Sequence, residues 1–354
     1  MPNYILKYND LTQHYFYIPN QGLCVRSKPN TIWQNYKPVY HDSTDVFSVY
    51  CDHNNILHAI CINPQNEIVY LIYKNSTWQS CAITQLKNDM EIEKINLFET
   101  NIGLSMVYTA RHFGETLLIH CVLGNHAMPE TIDKISSTDF FIFKKRVYYT
   151  NSNGILGYKD LSDGKSEIFN RLTDNGEMPY LITTEEKDML VYKKNDEIYS
   201  QNRPVHKDSN ATHPILTTNS NQLLLLWQSG DFIRYITSSD TGNTWSSVMQ
   251  YVNPGKTSQI YHVICNSKIQ NYFGNHSSTS LNIYGKNDIF EAEPPKKTHI
   301  PKDPNQITKL KIMIELQKKE IIELKKEILR LGEILKEFSS LTKNNPSSSD
   351  IFPE

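Results

Sequence analysis

Ser238-Ser239-Asp240-Thr241-Gly242-Asn243-Thr244-Trp245 is the stretch whose reading decides the fold. A short carboxylate at Asp240 can accept backbone N–H bonds across a tight turn, Gly242 can take a positive φ, and Trp245 can cover the apolar side of a hairpin. Turn chemistry accounts for Ser238, Asp240, Gly242, Thr244 and Trp245 together, so the segment predicts a structural staple rather than a ligand site. Around it lie Pro214-Ile215-Leu216, Leu223–Trp227, Phe232–Ile236 and Ser246–Met249, which read as the four strands of one antiparallel unit.

The same order recurs earlier as Val46–Tyr50, Ile56–Ile60, Ile68–Tyr73 and Trp78–Ile83, joined by short polar turns. Trp33 and Trp78 are 45 residues apart and Trp245 follows 167 residues later, about four steps of ~42, a propeller-blade period. The three tryptophans therefore read as one position, at the start of a fourth strand. Lys74-Asn75-Ser76-Thr77-Trp78 then reads as a shortened version of the 238–245 staple. This ruler marks units near residues 4–40, 47–86, 95–135, 139–172, 178–206, 213–251 and 258–291. The count is seven, or six if the short fourth and fifth units pair differently. Tyr4–Tyr8 is placed to close a ring by pairing with the last unit, which would leave no long strand edge at the join.

The pattern Ser-x-Asp-x-Gly-x-Thr-Trp resembles the Asp-box of the sialidase-like β-propeller superfamily. That resemblance implies an all-β propeller of four-stranded antiparallel blades over residues 1–292, with the box in a hairpin between the third and fourth strands, away from the catalytic pocket. It also sets a test for activity. Sialidases hold a carboxylate substrate with three arginines, the first in a Phe/Tyr-Arg-Ile-Pro motif, and here Phe16-Tyr17-Ile18-Pro19 puts a tyrosine at that place. Without that planar bidentate donor the catalytic part of the family is not carried over.

Beyond the propeller, four prolines between Glu293 and Pro304 make residues 293–304 a semi-stiff linker. From residue 305 to 340 the apolar period changes to three and a half. Ile307, Ile314, Ile321, Ile328 and Leu335 fall at a, and Leu310, Gln317, Leu324, Leu331 and Phe338 at d. Ile at a with Leu at d favours a parallel dimeric coiled coil, with a trimer as the alternative. A lone amphipathic helix is the competing reading, because Met313 and Ile334 widen the stripe. Residues 341–354, rich in Ser, Asn and Pro, read as a disordered tail.

Composition narrows the function. The net charge of −2 and pI near 6.6 leave no basic stripe for nucleic acid. No signal peptide or membrane-length apolar run occurs, so a cytoplasmic location is expected. The six cysteines, Cys24, Cys51, Cys61, Cys81, Cys121 and Cys265, contain no CxxC and read as reduced core residues. His112, His120 and His126 lack zinc-ligand spacing, no phosphate loop or nucleophile elbow occurs, and no cofactor is expected. Asp45, Asp52, Asp139 and Asp231 are the acids near strand ends from which a glycosidase pair would have to come.

Two functions remain. One is a non-enzymatic recognition or scaffold propeller, made multivalent by its coiled coil; the other is a carbohydrate-binding lectin or a diverged glycoside hydrolase. The first is the leading expectation. The funnel face discriminates them: clustered carboxylates with aromatic platforms favour sugar, a broad apolar face a protein.

Overall fold

In a computed structural model of the chain, the described residues are 3–8, 12–19, 22–29, 34–86, 89–124, 128–164, 168–184, 187–219, 222–251, 259–265, 268–276 and 281–284. The linker, the heptad positions from Ile307 to Phe338, the tail and Trp33 lie outside them.

The described residues form seven successive antiparallel meanders. The first is β1 (Asn3–Tyr8), β2 (Thr12–Tyr17), β3 (Leu23–Pro29) and β4 (Lys37–Tyr40). The second is β5 (Phe47–Cys51), β6 (Leu57–Ile62), β7 (Glu67–Lys74) and β8 (Thr77–Gln85). The third, β9 (Met90–Thr100), β10 (Gly103–His112) and β11 (Glu115–Val122), takes its fourth strand from the first part of β12 (Glu130–Phe143). The far end of β12 opens the fourth meander with β13 (Arg146–Asn151), β14 (Ile155–Asp160) and β15 (Asn170–Asp174). Then follow β16 (Gly176–Thr183), β17 (Asp188–Lys194), β18 (Glu197–Ser200) and β19 (Arg203–Lys207). The sixth is β20 (Ala211–Asn219), β21 (Gln222–Ser229), β22 (Phe232–Ser238) and β23 (Met249–Tyr251), and the last is β24 (Gln259–Cys265), β25 (Lys268–His276) and β26 (Leu281–Ile283).

The first strands pack in sequence, β1 on β5, β5 on β9, β9 on β12, β12 on β16 and β16 on β20, and β20 reaches β25. β1 then pairs in parallel with β24, from Asn3 opposite Tyr261 to Lys7 opposite Cys265. A ring of radial antiparallel meanders, closed by its first and last members, is a β-propeller.

Local chemistry explains the hairpins. Two-residue loops with both residues at positive φ match the twist of the flanking strands, and Asn75-Ser76, Phe113-Gly114, Lys144-Lys145 and Gln201-Asn202 all adopt that form. The stretch read as a shortened staple is thus a plain tight turn between β7 and β8. Inner strands are covered on both faces by neighbouring meanders and read as largely apolar runs, as in the wholly buried β6, where His58 is the one polar residue, and in Leu223–Trp227 of β21. Trp227 is fully buried and its indole N–H donates to Asp208 Oδ2 at 2.9 Å, an oxygen that also accepts from Arg234 at 2.9 Å.

In the quoted stretch, Asp240 Oδ1 accepts from the Thr244 N–H at 2.9 Å and Oδ2 from the Thr244 hydroxyl at 2.6 Å. The Ser238 hydroxyl donates to Asp240 Oδ1 and accepts from the Gly242 N–H, both at 2.8 Å. Gly242 sits at φ +89, and a Cβ there would meet the Met189 side chain at 2.6 Å. The fourth strand differs from expectation. It starts at Met249, not beside Trp245: the Ser246 N–H donates to the Thr237 carbonyl at 2.9 Å, but the Thr237 N–H is taken by the Ser246 hydroxyl at 3.0 Å in place of the return ladder bond, while Trp245 packs partly buried on the core.

Four cysteines, Cys24, Cys51, Cys61 and Cys121, are buried and free, and burial pushes their thiols up, that of Cys51 to about 11 and that of Cys61 to about 12. Cys81 departs from the core expectation. It is exposed on β8, an outer strand with no strand beyond it among the described residues.

Candidate functional site

The first strands enclose a channel with two compartments, of about 310 Å³ and about 500 Å³. The smaller lies toward the N-terminal ends of the first strands and the larger toward their C-terminal ends. Tyr4, Lys94, Asn96, Phe140, Phe141, His262 and Asn271 line both and form the neck between them.

Three register shifts shape the smaller compartment. Pairing slips between Ile135 and Phe140 in β12, Glu177 and Tyr180 in β16, and Thr212 and Ile215 in β20. These bulges, in consecutive meanders, present Asp139, Met178 and His213 to the cavity. Met178 and His213 hold φ of +52° and +50°, each just before a proline. Positive φ in such residues is strained and persists where surrounding contacts fix it. One such contact is the His213 N–H, which donates to Met178 Sδ at 3.2 Å. His213 Nε2 lies 3.8 Å from Asp139 Oδ1.

Asp45, from the segment before β5, and Glu93, from β9, complete an acidic arc with Asp139. Glu93 Oε1 pairs with Arg111, while Oε2 is shielded from solvent and has no hydrogen-bond partner among the described residues. A buried carboxylate oxygen is costly to leave without a donor. Phe47, Phe140 and Tyr180 supply aromatic surface in the same compartment.

At the neck, the Lys94 ammonium donates to the Phe140 carbonyl at 2.9 Å and lies 4.7 Å from that ring's centroid. Burial holds the ammonium's pKa below the usual lysine range, and the Asp139 carboxylate opposes the shift. Burial, with Lys94 nearby, pushes His262 down to about 4, against a hydrogen bond to Asn271 Oδ1 at 2.7 Å. Tyr4 stacks on His262 with centroids 4.7 Å apart, and Tyr180 Oη accepts from the Asn271 N–H at 2.8 Å.

Of the four acids singled out in the sequence, Asp45 and Asp139 thus meet in one cavity. Asp52 caps its own turn, accepting from the Asn54 and Ile56 N–H groups at 2.9 and 2.7 Å, and Asp231 is exposed in the turn after β21. Tyr17 ends β2, stacked on Tyr15 with centroids 4.8 Å apart, and lines neither compartment. No arginine among the described residues lines either compartment; Arg146, Arg171 and Arg234 pair with Asp160, Asp174 and Asp208. His112 pairs with Asp89, His120 is buried in β11, and His126 lies outside the described residues. Among the described residues no group of three or more His, Cys, Asp or Glu is placed to hold a metal ion, and no helix is long and apolar enough to cross a membrane.

Sequence reasoning passed over Glu93, Lys94, His213 and His262. The signal within reach was Met178-Pro179 and His213-Pro214, two X-Pro pairs opening successive first strands, where proline marks a strand start or a bulge.

No family model matches the chain, and no curated protein matches it. Among solved structures it is similar to a fungal lectin of Aleuria aurantia, titled as a six-bladed β-propeller with a novel fucose recognition mode, at 10% identity over 78% of this chain and 88% of that one, with a TM-score of 0.43. It is also similar to SapL1 lectin in complex with α-methyl fucoside (9%, 80% and 95%, 0.42) and to AofleA from Arthrobotrys oligospora (7%, 71% and 86%, 0.40). At these values the likeness assigns no ligand to this chain.

Proposed function

We propose that the chain is a carbohydrate-binding propeller whose smaller channel compartment takes one sugar residue. The observation that carries this reading is the acidic arc of Asp45, Glu93 and Asp139 around one cavity. Sugar hydroxyls are donors matched to ionised carboxylates, which only accept. Phe47, Phe140 and Tyr180, themselves buried, give the compartment apolar walls. A compartment of about 310 Å³ sits at the lower end of small-molecule sites, which span roughly 300–1,000 Å³. A concave site that gathers three acids among apolar walls favours sugar over the broad protein-binding face of a scaffold, so the scaffold reading ranks second.

In this reading the seven meanders are seven blades, the 238–245 staple is an Asp-box with a purely structural role, and the heptads from Ile307 to Phe338 join copies so that weak single-site binding gains avidity. The test is a glycan array of the full chain beside Asp139→Asn. Reproducible binding that the variant loses by tenfold or more supports the assignment. A blank array, or binding indifferent to Asp139, removes it.

A further inference from the structure

An outer strand presents a row of unpaired N–H and C=O groups, and soluble proteins blunt it with charge, proline or shortness. Six of the seven meanders do so within the described residues. β4 carries Lys37 and Pro38, the outer part of β12 carries Glu130, Asp133 and Lys134, β15 carries Arg171 and Asp174, and β19 carries Arg203, Pro204 and Lys207. β23 and β26 are three residues each.

β8 is the exception. Its nine residues, Thr-Trp-Gln-Ser-Cys-Ala-Ile-Thr-Gln, contain no charge and no proline, and seven of the nine are exposed. No strand pairs with its outer side among the described residues. Ile83 within it, 38% exposed, and Tyr73 of β7 beside it, 40% exposed, supply apolar surface. A register shift at Ile83 confines regular geometry to Thr77–Ala82.

We propose that β8 is a self-association edge, at which the β8 strands of two copies pair antiparallel about a two-fold axis. An isologous contact of this kind needs a strand compatible with itself, and a charge-free strand opposes no like charges across the axis. The antiparallel sense is favoured by the strand before it. Lys74 flanks the Thr77 end and Glu67 the Gln85 end, so antiparallel pairing sets Lys74 of one copy at the same end as Glu67 of the other. Parallel pairing would set the two Lys74 residues at the same end. The contact joins two propellers edge to edge and leaves both channels open.

Cys81 is the exposed thiol among the five cysteines whose side chains are described, and it reports on the contact. With the axis near Gln79–Ser80, the two Cys81 residues come within roughly 7–14 Å of each other, from strand rise and spacing. The experiment treats the full chain with a bis-maleimide of that length and resolves the products by denaturing electrophoresis. The expected result is a dimer band in the wild type, absent in Cys81→Ser and reduced tenfold or more in Ser80→Lys, whose melting temperature matches the wild type. Ser80→Lys keeps Cys81 and any coiled-coil contact, so an undiminished band in that variant would place the proximity elsewhere and overturn the proposal. A wild type without a dimer band at concentrations where light scattering shows a dimer would overturn it as well.

Discussion

Lys94 of β9 donates its ammonium to the Phe140 carbonyl of β12 at 2.9 Å, tying the first strands of two meanders together at the neck of the channel. A cation held there carries a desolvation cost that the neighbouring Asp139 only partly offsets.

Because burial lowers the Lys94 pKa, the unfolded chain binds that proton more tightly than the folded one, and stability rises with pH between the lowered value and the free-lysine value of about 10.4. Lys94→Met removes the group. Wild type is expected to gain on the variant as pH rises from 7 toward 10, read as the difference between their urea midpoints. A difference that stays flat with pH would mean the amine is solvated.

His120 is 2% exposed, its Nε2 lacks a partner among the described residues, and burial pushes its pKa to about 4. The unfolded chain takes up the proton near 6.5 while the folded chain resists until about 4. Stability therefore falls as pH falls through that window, by on the order of 3 kcal/mol for this group. His120→Leu should remove that share of acid sensitivity, which thermal melts at pH 7 and pH 5 measure directly.

Asp240 is held at about 2 by the Thr244 hydroxyl, the Thr244 N–H and Ser238. Its contribution is complete above the free-carboxylate value and is lost as pH falls toward 2. Asp240→Ala should melt below wild type at pH 7, with the gap closing as pH falls from 4 to 2. Equal melting at pH 7 would deny the staple any part in stability.

His213 is fixed at φ +50°. Asparagine tolerates that conformation and a β-branched residue does not. His213→Val is expected to be less stable than His213→Asn by about 1–2 kcal/mol, measured by urea unfolding, while both lose the imidazole beside Asp139.

Much of the architecture was legible because strand period and turn chemistry are local. The spacing that marked a unit near 139–172 meets a meander running from Phe140 to Asp174, and the alternation at 46–83 meets β5 to β8. The cavity was much less so. Asp45, Glu93, Asp139 and His213 come from the second, third, fourth and sixth meanders, and no pattern within one unit shows that ring closure brings them together. Asp45 and Asp139 could be named as acids near strand ends, yet nothing set them apart from Asp52, which caps its own turn. Trp245 shows the opposite failure. Its resemblance to Trp78 in spacing suggested a shared strand position, but the Ser246 hydroxyl replaces a ladder bond and delays the strand to Met249.

The parallel pairing of β1 with β24 sets a timetable for biosynthesis. Asn3 leaves the ribosome some 250 residues ahead of Tyr261, a delay of roughly 12–50 s at ordinary elongation rates. Throughout that interval the nascent chain carries an open inner edge, with Tyr4, Ile5 and Leu6, all buried in the finished ring, waiting for their last neighbour. Whatever shields that edge during synthesis, the ring cannot shut until nearly the whole propeller has been made.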